Sequence, residues 1–187
     1  IFISTSSNNI IVNSTGNGTS TGFANTIGIW LANSNYTRII NSTAQSVDKN
    51  GLRLDTSRFN NISNTRAISR NSEGFGLLNS SYNIMTNLTA SSNSGYGIFL
   101  TQYWDGTGYS YNNTIINSTS QSQSAIVVFL STNCTNNTFF GNIFISGDGT
   151  RNLLYLTSTA YNNLFYWNNF TNTSGLYYDE LNGYNNY

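Results

Sequence analysis

The sequence predicts an all-β fold, a stack of three-sided coils of short strands wound around one apolar core. Three observations predict it. Ile29, Leu52, Phe75 and Ile98 recur at a step of 23 residues, and Leu31, Leu54, Leu77 and Leu100 keep the same step. So do Tyr36, Phe59 and Tyr82. A period of that size marks an array of units that bury their apolar edges against one another. Within each unit the apolar residues alternate at period two, and no segment carries the i, i+3, i+4 pattern of a helix. Charged residues make up only 7% of the chain, yet 14% is aromatic. That pairing excludes a disordered, highly charged chain and leaves the exterior to Asn, Ser, Thr and Gly.

The elements follow in order. The stretch 1–9 aligns with 29–37, so the chain opens inside a unit. Apolar segments then start at Ile1, Ile29, Leu52, Phe75, Ile98, Val128, Leu154 and Leu176, with insertions at 16–22, 102–110 and 147–150. The first strand of a unit reads Ile-x-Leu, as in Ile29-Trp30-Leu31, and points two apolar residues to one face. A second strand follows an Asn pair, as in Asn113-Thr114-Ile115-Ile116-Asn117. It supplies the inward column Ile11, Ile39, Ile62, Met85, Ile115, Phe139 and Phe165. A third, weaker strand carries small residues at alternate positions: Ala44/Ser46, Ala67/Ser69, Ala90/Ser92 and Ser120/Ser122. The final Tyr184-Asn185-Asn186-Tyr187 echoes the stretch from Tyr161, so 1–187 reads as a single domain that begins and ends mid-repeat.

Asn13, Asn41, Asn64, Asn87 and Asn117 occupy one equivalent position, just after the inward residue of the second strand. Stacked at the ~4.8 Å spacing of adjacent strands, their carboxamides are expected to form a buried ladder, each donating to the next. Asn also tolerates the left-handed conformation of a sharp turn. The column lapses at Gly141 and Trp167, which predicts irregular geometry in the last coils.

Gly-Ile-x-Leu (28–31, 97–100), Ser-x-Tyr/Phe-Asn (57–60, 80–83) and Asn-Thr-Ile-x-Asn (113–117) together resemble the repeats of the NosD-like or CASH-type proteins. These are secreted and cell-surface proteins of archaea and bacteria. The resemblance covers nearly all of the chain. It implies a right-handed parallel β-helix of about seven coils with three short strands per coil. It does not imply an activity, because this coil hosts lyases, hydrolases, adhesins and passive scaffolds. The NosD resemblance also brings copper with it. Copper sites are built from His, Cys or Met, and this chain has no His, one Met and one Cys. We therefore expect no metal and no cofactor.

Composition narrows the function classes further. Seven basic and seven acidic residues cancel, so no field favours nucleic acid, and no apolar run reaches the ~18–20 residues of a membrane span. A single cysteine, Cys134, rules out an intrachain disulfide. Glycoside hydrolysis needs two carboxylates ~5–9 Å apart across a cleft. Asp55 has Ala32 and Leu78 as its coil equivalents, and Asp179–Glu180 are strand neighbours that point oppositely. No catalytic residues are expected. The charges at Asp48, Lys49, Arg53, Asp55, Arg58, Arg66, Arg70 and Glu73 read as a self-compensating surface patch.

Two surface features remain. Thirteen Asn-x-Ser/Thr sequons occur. Those at Asn13, Asn41, Asn87 and Asn117 fall in the expected ladder, which would exclude a glycan. The other nine (Asn17, Asn35, Asn61, Asn79, Asn112, Asn133, Asn136, Asn169 and Asn172) are candidates for N-linked glycans. The residue between the two inward apolar positions of the first strand should face out; there stand Phe2, Trp30, Arg53, Gly76, Phe99, Phe129, Tyr155 and Tyr177. An outward aromatic stripe marks an interface. The leading expectation is an extracellular structural protein that self-assembles into a fibre, sheath or layer, by stacking of coil ends and by lateral aromatic contacts. The alternative is a carbohydrate-binding or adhesive module using the insertion Tyr103, Trp104, Asp105 and Tyr109, with a polysaccharide as partner. A polysaccharide lyase or hydrolase ranks third.

Overall fold

A computed structural model describes residues 1–19, 26–102, 106–149 and 151–171, and the backbone alone of Tyr178–Glu180. Each turn of the chain lays one short strand on each of three faces. The first sheet has eight strands: Phe2–Ser4, Ile29–Ala32, Leu52–Asp55, Phe75–Leu78, Ile98–Thr101, Val128–Leu130, Leu154–Leu156 and Tyr178–Glu180. The second has seven, from Ile10–Val12 to Leu164–Tyr166, and the third seven, from Thr15–Gly18 to Asn169–Thr171. Neighbours pair in parallel throughout, for example Phe75 with Leu52 on one side and Ile98 on the other. The result is a parallel β-solenoid of about seven coils, and no helix occurs among the described residues.

The register follows the apolar pattern. Ile29, Leu52, Phe75, Ile98, Val128 and Leu154 lie side by side in the first sheet. Ile11, Ile39, Ile62, Met85, Ile115, Phe139 and Phe165 do so in the second. Nearly all of these are fully buried, and together with Ala44, Ala67 and Ala90 of the third sheet they form one continuous core. Each large apolar side chain in it is worth about 1.5–3 kcal/mol of transfer from water. The step between equivalent residues is 28, 23, 23, 30, 24 and 26 along the chain. The stack therefore continues across unequal steps, and residues 16–18, expected as part of an insertion, belong to the strand Thr15–Gly18. The last strand departs from expectation: Tyr178, not Leu176, stands opposite Leu154, which puts Asp179 opposite Tyr155. A slip of two residues leaves a period-two pattern intact.

Corners are made by left-handed residues. Asn13, Asn41, Asn64, Asn87 and Asn117 have φ between 48° and 53°, and Gly141 (65°) and Trp167 (57°) continue the column. The last coils are thus regular at this corner, contrary to the sequence expectation. The same residues also correct the ladder. Asn13, Asn41, Asn64, Asn87 and Asn117 are exposed, and the amide of Asn87 that donates to Asn64 Oδ1 (3.0 Å) does so at the surface. A residue two places beyond an inward one would itself point inward in a continued strand; the left-handed φ turns it out instead.

The buried ladder runs through Asn60, Asn83, Asn113, Asn137 and Asn163, two residues before the inward column. Each Nδ2 of the first four donates to the next Oδ1 at 3.0 Å. That same oxygen accepts the previous Asn backbone N–H at 2.9–3.0 Å. A second nitrogen–carbonyl bond reaches back across the coil, as from Asn83 to Ser57 (3.0 Å). A parallel serine ladder, Ser34–Ser57–Ser80–Ser110, joins backbone N–H to Oγ at 3.0–3.3 Å. Every rung satisfies buried polar groups that an open coil would leave bare.

Candidate functional site

Serine and asparagine rungs bracket one corner, and the residue between them is left-handed in every coil. From the first coil on it is Asn8, Tyr36, Phe59, Tyr82, Asn112, Asn136 and Asn162 (φ 53–62°). Three successive coils thus place an aromatic side chain where Asn serves elsewhere. The rings stack along the rod, Tyr36 on Phe59 at 5.2 Å and 7°, and Phe59 on Tyr82 at 5.0 Å and 12°. Tyr111 closes the row edge-on against Tyr82. Tyr36, Phe59 and Tyr82 are 55%, 46% and 40% exposed. Their 23-residue recurrence was visible in the sequence, but their exposure depends on the left-handed corner.

The first-sheet stripe is more covered than the pattern suggested. Phe2 is exposed, but Trp30, Phe99, Phe129 and Tyr155 are half-buried. Tyr96 wedges against both Phe99 (5.2 Å) and Phe129 (5.0 Å), and burial, then Glu73 and Tyr155, push its phenol pKa up. Asn50 folds over Gly76, its Nδ2 2.5 Å from where a Cβ would stand. The side chains of the stripe therefore cover one another and form no open platform. Tyr109 is exposed; Tyr103, Trp104, Asp105, Asn172 and Tyr177 lie outside the described residues.

Asp55 is buried on the first sheet between Ala32 and Leu78, with no second carboxylate in register. Its Oδ1 accepts from Arg53 Nε (2.7 Å) and its Oδ2 from Trp30 Nε1 (2.9 Å), with the Arg53 guanidinium 5.8 Å from the Trp30 ring centre. The carboxylate holds two side chains in place and faces no acid–base partner. On the third sheet a shallow polar groove is lined by Asn17, Gln45, Val47, Ile68, Arg70 and Asn93.

The sequons divide by exposure. Asn17, Asn61, Asn136 and Asn169 are exposed; Asn35, Asn79, Asn112 and Asn133 are half-buried. Asn79 Nδ2 donates to Thr56 (3.5 Å) and Asn133 Nδ2 to Gln102 (3.1 Å), bonds that would have to break on modification. Asn13, Asn41, Asn87 and Asn117 are exposed too, so ladder burial does not exclude them.

At the far end of the second sheet, Trp167 takes the left-handed corner position held by Asn in the first five coils, and it is 83% exposed. Phe140 stacks on Tyr166 at 4.7 Å and meets Trp167 at 5.3 Å. In the sequence pattern Trp167 shows only as a break in the asparagine column, which does not reveal this cluster.

A family model described as "Periplasmic copper-binding protein (NosD)" matches residues 1–153. Searches of the curated proteins and of the solved structures returned no match. The donor set does not fit copper. The chain has no His; Met85 is buried in the inward column, and burial pushes the Cys134 thiol pKa up to about 12. Among the described residues no three His, Cys, Asp or Glu cluster, and no helix is long and apolar enough to cross a membrane. With three parallel sheets in register and a family match over residues 1–153, the chain belongs to the NosD family of periplasmic β-helix proteins.

Proposed function

We propose that this chain is a non-catalytic scaffold of the periplasm or cell surface that associates with further copies of itself. The observation that carries the reading is the Tyr36–Phe59–Tyr82 stack. The corner needs only a left-handed residue, and Asn112, Asn136 and Asn162 meet that need with φ of 53–56°. A left-handed L-residue costs roughly 1–2 kcal/mol, least for Asn. Three exposed rings at strained positions answer no demand of the coil, and ordered aromatic surface of this kind is what interfaces use. Strand pairing between coil ends would extend the same ladders from one copy to the next, making a fibre or layer. N-linked glycans at Asn17 and Asn169 on the third sheet, and at Asn61 on the second, would keep those faces apart on a nearly uncharged rod.

The test is sedimentation velocity over a hundredfold concentration range, on the parent chain and on Tyr36→Asn/Phe59→Asn/Tyr82→Asn. The variant borrows the residue of later coils, so circular dichroism should show the parent fold. Concentration-dependent oligomers in the parent that shrink to monomer in the variant support the reading. An identical mass distribution for the two proteins rejects it. A second reading, carbohydrate binding, is favoured by the exposed Tyr109 beside an insertion that adds seven residues to its coil, a step of 30 against 23.

A further inference from the structure

In the corner column of Asn13, Asn41, Asn64, Asn87 and Asn117, asparagine gives way to Gly141 and then to Trp167, and the missing side chain at Gly141 leaves a notch between its neighbours. Gly141 has no side chain and a φ of 65°. Its neighbours one coil to either side are Asn117 and Trp167, two strand spacings apart, or roughly 9–10 Å between backbones. Phe140, next to Gly141 in sequence and in ring contact with Trp167 at 5.3 Å, supplies an apolar wall backed by Tyr166. Asn117 Oδ1 lies 2.7 Å from where a Cβ on Gly141 would stand, so the carboxamide overhangs the notch. Among the described residues, neither that carboxamide nor the Trp167 indole N–H has a hydrogen-bond partner. In the same column Asn87 does bond its neighbour, Asn64.

We infer that this notch is a binding site for a neutral sugar residue of a polysaccharide. An indole face and a phenyl wall take the C–H face of a pyranose, while a free carboxamide and a free indole N–H take its hydroxyls. Charge selects the ligand class. From 106 to 171 the charged residues are Asp148 and Arg151, and both lie at the corner between the third and first sheets, not at the corner that holds Gly141 and Trp167. A carboxylated or sulfated glycan would find no cation here, and a charged peptide no counter-charge. Trp167 bears the strain of a left-handed aromatic without stacking in the Tyr36–Phe59–Tyr82 row, so this site is independent of the self-association reading.

The full chain, produced without glycans, is run by affinity electrophoresis through native gels containing mixed-linkage β-glucan, mannan or polygalacturonate. Three variants accompany it. Trp167→Asn restores the residue this column carries in the first five coils, Gly141→Asn fills the notch while leaving Trp167 in place, and Tyr36→Asn/Phe59→Asn/Tyr82→Asn leaves the notch intact. Retardation is expected in at least one neutral gel. Both notch variants should weaken it about tenfold, at an unchanged circular-dichroism spectrum, and the triple variant should not. Three outcomes overturn the inference: retardation in neither neutral gel, retardation only with polygalacturonate, or retardation that Trp167→Asn and Gly141→Asn leave unaltered. Loss of binding in the triple variant alone would move the sugar site to the corner stack and likewise reject the notch.

Discussion

Cys134 sits in the core with its thiol buried among the inward columns. Burial raises its pKa from an ordinary 9.0 to about 12, against the opposite pull of backbone bonds at Ser110 and Ser131. An unfolded thiol therefore ionises near 9 while the folded one stays protonated to about 12. Between those values the unfolded chain holds fewer protons, so stability is fully present below pH 9 and declines as pH rises. The urea midpoint should drop more from pH 8 to pH 10.5 in the parent than in Cys134→Ala. Every other ionisable group is common to the two proteins, and the cavity left by alanine is the same at either pH. Equal drops would show that the thiol is open to solvent. The same burial makes Cys134 a poor copper ligand, since the thiolate is the form that binds metal.

At the scale of the strand and its corner, two columns built largely of asparagine flank the second-sheet strands, and their chemistry is opposite. Asn113 accepts from the N–H and Nδ2 of Asn83 and donates to Asn137 and to the Ser80 carbonyl (2.8 Å). Asn113→Ala leaves several buried donors and acceptors without partners and should lower stability by about 2–5 kcal/mol. Asn117 is exposed with φ 48°, a conformation glycine adopts freely, so Asn117→Gly should change stability by less than about 0.5 kcal/mol. Urea titration of the two variants checks this, and a larger loss at Asn117 would restore the ladder to the column first read from sequence.

The sequence misled there for a definite reason. Asn60 and Asn64 stand two residues either side of Ile62, and period two alone assigns both to the inside. Only the left-handed turn at Asn64, which no residue pattern declares, sends it out. The apolar columns carried no such ambiguity, because a slip of one residue would have exposed Ile29, Leu52 and Phe75 together. In the outward stripe Trp30, Phe99, Phe129 and Tyr155 are half-buried. Nothing in the spacing shows Tyr96 closing on Phe99, or Asn50 on Gly76.

For the whole molecule, charge is scarce, and eight of the fourteen charged residues lie between 48 and 73. The ion pair Arg53–Asp55 lies on the first sheet, whereas the stacked rings occupy the corner between the first and second. Association through the rings and association through the charges respond oppositely to salt. Burial of ring surface is unaffected by ionic screening and is strengthened by sulfate, which is excluded from protein surface. Contacts among Asp48, Lys49, Arg58 and Arg70 of neighbouring copies would fade as the screening length falls from ~10 Å at 0.1 M to ~3 Å at 1 M. Sedimentation in 0.1 and 1 M NaCl, and then with 0.5 M ammonium sulfate, should therefore show oligomers that persist in the first comparison and grow in the second. Dissociation at 1 M NaCl would assign assembly to the charged coils and leave the aromatic corner free for another partner.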